Sequence, residues 1–520
     1  MVKSKTRNSL GYRTEVLDHL GLVAGMCKEL GISELIDRTI PNNSPDKILS
    51  TGNAVVGLIL NGLGYVNKRL YLVSHFFRNK PVDKLLGVSY LKSEHFNDDA
   101  LSRGLDAIYD YGVSELYALI SNHVVSHLRT HHGLEIESGH LDNTNFHLHG
   151  KEQDLELEDG SMLSITRGHS KDHRPDLVQI GLQLIVDHKS RIPLLMKVLS
   201  GNEEEGKSYG NFIEDHIEQL QNVHNLKLVV VDSKLYNQGN LSILKTKGSL
   251  KWLTRVPNTL KAVKELLVFS DKSQFQVLWD NKDYSYLELC SNYGGVNQRW
   301  IAFHSENKYK TELKQFTKRI EKQTKQEIKR YKKLSKEEFK HKKEALQAAN
   351  SLSKNLKYSN LDKIKIVTKK YYDSVGKPKK GQKPTRIVYR FEATICSDTV
   401  LIEQEKNKLG YFILATNELN GEFMPAHKVL KHYKNQAAVE RGFRFLKDPN
   451  IVGASLFVQK PQRMMALIMV MTLCLLVYSA LEFKTRTLLK QLNLTFNNHA
   501  GKPIQNPTMK WIFQCFEGIH

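Results

Sequence analysis

Cysteine is scarce in this chain, and what there is lies scattered. The five cysteines (Cys27, Cys290, Cys396, Cys474, Cys515) are odd in number, far apart in 520 residues, and form no Cys-x-x-Cys pair. That argues against a disulfide framework and a cysteine-based zinc site, and fits a reducing, cytosolic setting. No apolar segment follows the opening Met-Val-Lys-Ser-Lys-Thr-Arg, so no secretion signal is expected there. Long apolar runs are nearly absent as well. The exception is 464–481, 18 residues without a charge, at the lower limit for a spanning helix. It carries Thr472, Cys474, Tyr478, Ser479 and four methionines. In so charged a chain this favours a buried core helix over a membrane anchor, and no membrane partner is expected. Acidic residues are also in deficit. Lys and Arg number 76 against 55 Asp and Glu, a net charge of +21. The excess is spread along the chain and points to a polyanion partner; on charge alone an anionic membrane surface is the second candidate, and nucleic acid is the one expected.

What is present falls into segments. No internal repeat is visible. Residues 1–130 read as a helical domain suited to DNA-end binding, packing or dimerisation. Apolar spacing suggests a helix over 17–35; Thr51 is placed to cap 52–63 and Asn97 to cap 100–111, and 114–128 is a further helix. From residue 134 the character changes. Segments 140–148, 178–186 and 192–199 read as strands, the last two joined by the turn Asp187-His-Lys-Ser190. A helix at 206–220, a strand at 226–231, a helix at 239–247 and a strand at 251–256 follow. This order suits an α+β fold: a mixed sheet flanked by helices, over 134–256. Residues 257–408 read as an inserted domain with strands at 275–289 and 299–303, a long charged helix at 306–346 and paired strands at 364–371 and 386–394. The helix holds 15 Lys/Arg against 7 Asp/Glu, so it is a solvated helix or helical hairpin, or else a rail for DNA backbone or a dimer coiled coil. The connection 376–384 is basic. Residues 409–520 return to the core with a strand at 411–416 and C-terminal helices.

Three carboxylates stand out. Asp142 lies inside a strand, Asp232 at a strand's carboxyl end, where ligands of such sheets collect. Either alone is commonly a turn or cap residue. Two nearby Asp repel unless a cation lies between them, and hard oxygen donors select Mg²⁺ or Mn²⁺. The third is Glu440, in the segment Tyr433-Lys-Asn-Gln-Ala-Ala-Val-Glu-Arg-Gly-Phe-Arg-Phe-Leu-Lys447, which reads as one helix stopped by Asp448-Pro449. On such a helix Tyr433, Gln436, Glu440, Arg444 and Lys447 span an arc of roughly 80°. An ordinary surface helix pairs its charges in the same pattern; the two upstream aspartates make a metal site for phosphodiester chemistry the better reading. Upstream, 167–179 is rich in His169, Lys171, Asp172, His173, Arg174 and Asp176. Phosphate contact by Lys171 or Arg174 is favoured there over zinc binding by His169 and His173, for which no further ligand pair is in view.

Tyr433, Glu440 and Lys447 match a Tyr-x2-Arg-x3-Glu-x6-Lys signature. Together with Ser170-Lys-Asp-His-Arg-Pro-Asp-Leu-Val-Gln179, Gly201-Asn202, Val231-Asp-Ser233 and Gln298-Arg-Trp300, they make the chain resemble an insertion-sequence DDE transposase of the superfamily that carries this signature, the IS-four type. The resemblance implies an RNase H-like catalytic fold. It implies Asp142, Asp232 and Glu440 as catalytic metal ligands for two Mg²⁺ ions, with Mn²⁺ an alternative. It also implies cut-and-paste action on terminal inverted repeats of double-stranded DNA, a homodimer when synapsed, and a cytoplasmic, nucleoid-associated setting of bacterial type. Tyr433 and Lys447 are then DNA-phosphate contacts. The signature arginine is Gln436 here, a neutral donor, and Arg444, one turn beyond Glu440, is the cation expected to stand in. The alternatives are a metal-dependent DNA nuclease without strand transfer and a non-catalytic basic DNA-binding protein.

Overall fold

The helical periodicity over 17–35 breaks at a glycine. Gly31 takes a left-handed conformation (φ 59°), which ends α1 (Leu20–Glu29) and starts α2 (Ile32–Thr39). The computed structural model describes residues 14–41, 47–65, 70–157, 159–170, 173–246, 250–269, 272–373, 382–448 and 460–520. In α3 (Thr51–Leu63) the cap is Ser50, one residue earlier than expected: its hydroxyl accepts the Asn53 N–H at 3.1 Å, and Thr51 is already helical. Two short helices, α4 (Val73–Phe77) and α5 (Val82–Leu86), precede α6 (Asp98–Tyr111), which Asn97 caps by accepting the Ala100 N–H at 2.9 Å. The next helix, α7 (Val113–His132), runs past the expected end at 128.

The chain forms two compact units. One holds residues 1–255, 291–299 and 415–520, the other 256–290 and 300–414. In the first, β1 (Ser138–Leu148) is followed by a small hairpin of β2 (Gln153–Glu156) and β3 (Met162–Ile165), strands too short to show in the sequence. Then come β4 (Val178–Asp187), β5 (Pro193–Leu199), α8 (Glu205–Asn222), β6 (Leu228–Val231), α9 (Gln238–Thr246) and β7 (Lys251–Arg255). The strand order is β5-β4-β1-β6-β7. Pairing is antiparallel for β1–β4 and β4–β5, parallel for β1–β6 and β6–β7, so the sheet is mixed. Every residue of β4 is buried, Gln179, Gln183 and Asp187 included, as in a strand covered on both faces. Asp187 fixes the β4–β5 turn by accepting from the Ser190 N–H and hydroxyl, each at 2.7 Å.

The second unit contains α10 (Lys261–Phe269), β8 (Gln276–Val277), β9 (Tyr284–Ser291), β10 (Gln298–Ser305), α11 (Glu306–Leu334), α12 (Lys342–Lys354), β11 (Ser359–Tyr371), β12 (Arg386–Ser397), α13 (Thr399–Lys406) and β13 (Tyr411–Thr416). Its strands run β13-β10-β9-β8. The single strand expected at 275–289 is a hairpin, turned where the Tyr284 N–H donates to the Asn281 carbonyl at 3.0 Å. Of the long helix or helical hairpin expected at 306–346, the structure has two separate helices. Phe339 leaves the helical path to exchange two backbone hydrogen bonds with Tyr389 of β12, each 2.9 Å. Tyr331, Phe339, Ala349 and Leu352 then pack with Phe391 against the β11–β12 hairpin. The basic connection 376–384 falls largely outside the described residues.

Back in the first unit, the chain ends with α14 (Ala426–Lys434), α15 (Ala437–Leu446), α16 (Pro461–Gln491), the strand pair β14 (Phe496–Asn497) and β15 (Pro503–Ile504), and α17 (Met509–Cys515). Length and apolarity would let α16 cross a membrane. Within this unit, however, it is buried from Met464 to Leu481 except at half-buried Tyr478, against α1, α3, α6, α7, β5 and α15. It is a core helix. Beyond the apolar run, Glu482 is buried and accepts from Arg191 at 2.9 Å, from Arg486 at 2.8 Å and from the Met509 N–H at 3.2 Å. Removing it leaves two guanidinium groups without their counter-charge. Glu482→Ala is expected to lower unfolding stability by about 3 kcal/mol, read by denaturant titration; a loss near zero would mean that the network contributes nothing.

Candidate active site

Strand register decides where the two aspartates go. The last row of the parallel β1–β6 ladder pairs Leu141 with Val231, so Asp142 and Asp232 are the next residues on adjacent strands. In the β6–β7 ladder Val231 pairs with Thr254, which brings Arg255 to the same edge. Asp142 Oδ1 accepts from the Asn143 N–H at 2.8 Å and from the Tyr209 hydroxyl at 3.1 Å. Asp232 caps a 3₁₀ turn at Ser233–Leu235, its Oδ1 accepting from the Lys234 N–H, while the Thr254 hydroxyl donates to its carbonyl at 2.7 Å.

Tyr209, fully buried on α8, reports on both carboxylates. Burial, and then the charges of Asp142, Asp232 and Glu205, push its phenol far up, so it stays protonated and donates to Asp142. Glu205 opens α8 and pairs with Lys234 at 2.7 Å. Sequence reasoning missed both residues. The available signal was their spacing of four, which puts them on one helix face after Gly201-Asn202.

The segment from Tyr433 to Lys447 is not one helix. At Asn435 and Gln436 the backbone tightens: Asn435 N–H reaches the His432 carbonyl at 3.2 Å and Gln436 N–H the Tyr433 carbonyl at 3.2 Å. Asn is a weak helix former because its amide competes for backbone partners. The arc drawn for a continuous helix therefore does not carry across this turn. Tyr433 and Glu440 nonetheless share an environment. Burial raises the Tyr433 phenol's pKa; Arg255, whose guanidinium donates to it, pulls the other way; Asp232 and Glu440 both raise it. Arg255 is thus a cation at the site that the sequence did not single out; its place, one residue after the partner of Val231, is set by strand register.

α15 is docked by Val439, Phe443 and Leu446, all buried, on β1, β4 and α16. Gly442 permits the approach, since a Cβ there would stand 3.1 Å from Leu475. This docking leaves Glu440 and Arg444 on the exposed side, with Gln436 and Lys447 half-buried. Arg174 is exposed and held by Asp176 through two contacts, 2.9 and 2.8 Å, and the Asp176 carboxyl is drawn down to about 2 by that guanidinium. Lys171 lies outside the described residues. His169 and His173 join no metal-ligand group among the described residues; nor do the ligand atoms of Asp142, Asp232 and Glu440 all close to within 4.8 Å of one another.

Residues 139–477, well over half of the chain, match the family described as Transposase DDE domain. The chain belongs to the DDE transposase family. Its helical start, residues 12–122, matches a domain of unknown function, DUF4277. No curated protein matches the transposase. Among solved structures it is similar to one described as the cryo-EM structure of piggyBac transposase synaptic complex with hairpin DNA, at 9% identity and TM-score 0.38, over 96% of this chain and 78% of that one.

DDE transposase domains generally use divalent metal ions. The donor set fits such an ion: Asp142, Asp232 and Glu440 offer only hard carboxylate oxygens, from strand β1, from the residue after β6 and from helix α15. Tyr209 fixes Asp142 from behind. Tyr209→Phe removes that bond without changing shape, and outer partners of ligands are worth about 10–100-fold in metal affinity or activity. Cleavage by Tyr209→Phe should fall by that order at low Mg²⁺ and recover in part at high Mg²⁺; wild-type metal dependence would show that Asp142 needs no such support.

Proposed function

We propose that this transposase belongs to the IS-four type superfamily and carries out cut-and-paste transposition, binding the terminal inverted repeats of its element, cleaving them and joining the 3′ ends to target DNA. The observation that carries this reading is the β1–β6 register, which sets Asp142 beside Asp232, together with Tyr433, whose phenol lies near both Asp232 and Glu440. The sheet order β5-β4-β1-β6-β7, three antiparallel strands followed by two parallel ones, supports an RNase H-like core.

Each residue has a role in this reading. Asp142, Asp232 and Glu440 are the metal ligands. Bound divalent ions, two Mg²⁺ or Mn²⁺, would supply charge for water activation and for the leaving oxygen. Tyr433 and Arg255 hold a DNA phosphate next to the carboxylates, and Gln436, Arg444 and Lys447 extend that surface along the second helix. Arg255 answers the missing signature arginine more directly than Arg444 does, because it already touches Tyr433. Lys171 and Arg174 contact phosphate farther out, Arg174 by exchanging Asp176 for DNA. A homodimer synapses two ends, and the protein works in the cytoplasm on the nucleoid.

Asp142→Ala, Asp232→Ala and Glu440→Ala are each expected to abolish cleavage of a terminal-repeat duplex and to retain binding in a gel-shift assay. Wild-type protein with Mg²⁺ should join pre-cleaved 3′ ends to a plasmid. Hydrolysis without joining would favour a nuclease, and neither reaction a DNA-binding protein. Arg255→Ala should weaken binding to cleaved ends more than tenfold, since a charge-assisted contact contributes about 1.5–3 kcal/mol. Arg444→Ala should cost less, and the reverse ranking would return the substitute's role to Arg444.

A further inference from the structure

Glu29 closes α1; His131 and His132 lie in the last turn of α7, and His127 about one turn before them. Glu29 Oε1 lies 3.0 Å from His132 Nε2 and 3.7 Å from His127 Nε2, and the three ligand atoms all fall within 4.8 Å of one another. The other carboxylate oxygen, Oε2, is taken by the Lys484 ammonium of α16. Both imidazoles therefore address one oxygen. Only His132 is within hydrogen-bond range; at 3.7 Å His127 is not bonded to it. Donors about 2.0–2.2 Å from a shared tetrahedral ion stand about 3.3 Å apart. The two observed separations bracket that value.

We propose that Glu29, His127 and His132 form a Zn²⁺ site, separate from the catalytic carboxylates. Two imidazole nitrogens and a carboxylate suit Zn²⁺ rather than Mg²⁺, which prefers oxygen alone. The side chains are 21%, 13% and 29% exposed for His127, His132 and Glu29, open enough for an ion to enter and to keep water as a fourth ligand. Lys484 orients Glu29 from outside the ligand shell. The unpaired carbonyls at the end of α7 add negative potential at this point. His131, its ring centroid 4.5 Å from that of His127, stands on the rim. An ion here would staple the end of α1 to the end of α7, in the helical region ahead of the sheet.

The test uses the full chain with Mg²⁺ in excess, which occupies oxygen-only sites, and Co²⁺ as the probe. Wild type should develop the visible absorption of tetrahedral Co²⁺, and Zn²⁺ should bleach it. His127→Gln and His132→Gln should each weaken Co²⁺ binding by at least about 100-fold, the upper end of what outer partners alone cost. Lys484→Met should keep the tetrahedral spectrum. No tetrahedral spectrum in wild type, or an equal one in the double histidine variant, would overturn the site. Should the variants fail to fold, zinc-edge X-ray absorption of the wild type decides: two imidazole ligands support the site, and fewer overturn it.

Discussion

The register between β1 and β6 is the constraint on which the candidate active site depends. A parallel ladder holds neighbouring strands about 4.8 Å apart, so pairing Leu141 with Val231 brings two carboxylates side by side. A slip of one residue would turn Asp142 to the opposite face. The fold tolerates this concentration of negative charge by surrounding it with donors: the Tyr209 hydroxyl, the Asn143 and Lys234 amides, and Lys234 on Glu205. Arg255 reaches the same edge from β7 and bonds Tyr433. DDE transposase domains generally use divalent metal ions, and hard carboxylate oxygens set this close suit one.

Helix α16 makes the third carboxylate possible. Its apolar length is buried in the first unit, and its surface near Leu475 receives α15 at Gly442. α15 therefore sits with Val439, Phe443 and Leu446 inward and Glu440 outward. Beyond Leu481 the same helix changes character: Glu482 gathers Arg191 and Arg486, and Lys484 reaches Glu29. One helix thus serves the core, the docking of α15 and a polar cluster at the N-terminal helices.

Much of the sheet was legible because its signals are local. The β4 run is mostly Val, Ile and Leu, and Asp187 to Ser190 is a turn that its own side chains complete. Asp142 and Asp232 stood out as acids in buried-strand contexts. Where the reading failed, a non-local partner or a backbone detail decided. Periodicity left a single helix and a helical hairpin both open at 306–346, and the bond between Phe339 and Tyr389 decided between them. Asn435 and Gln436 tightened a turn inside a segment free of proline and glycine up to Gly442, where a single weak helix former, Asn435, was the whole signal. Tyr209, Glu205 and Arg255 reach the candidate site only through tertiary packing and strand register, and a single sequence does not contain that information explicitly. The Glu29–His127–His132 cluster is of the same kind, with about a hundred residues between its halves.

The central claim is that Asp142, Asp232 and Glu440 hold divalent metal together. Replacing Mg²⁺ with Fe²⁺ and adding ascorbate and peroxide generates hydroxyl radicals at the bound ion, which cut the nearby backbone. The account predicts three cuts, close to residues 142, 232 and 440, all suppressed by excess Mg²⁺. Cuts near only one of these positions, or Mg²⁺-sensitive cuts at other places alone, would contradict it.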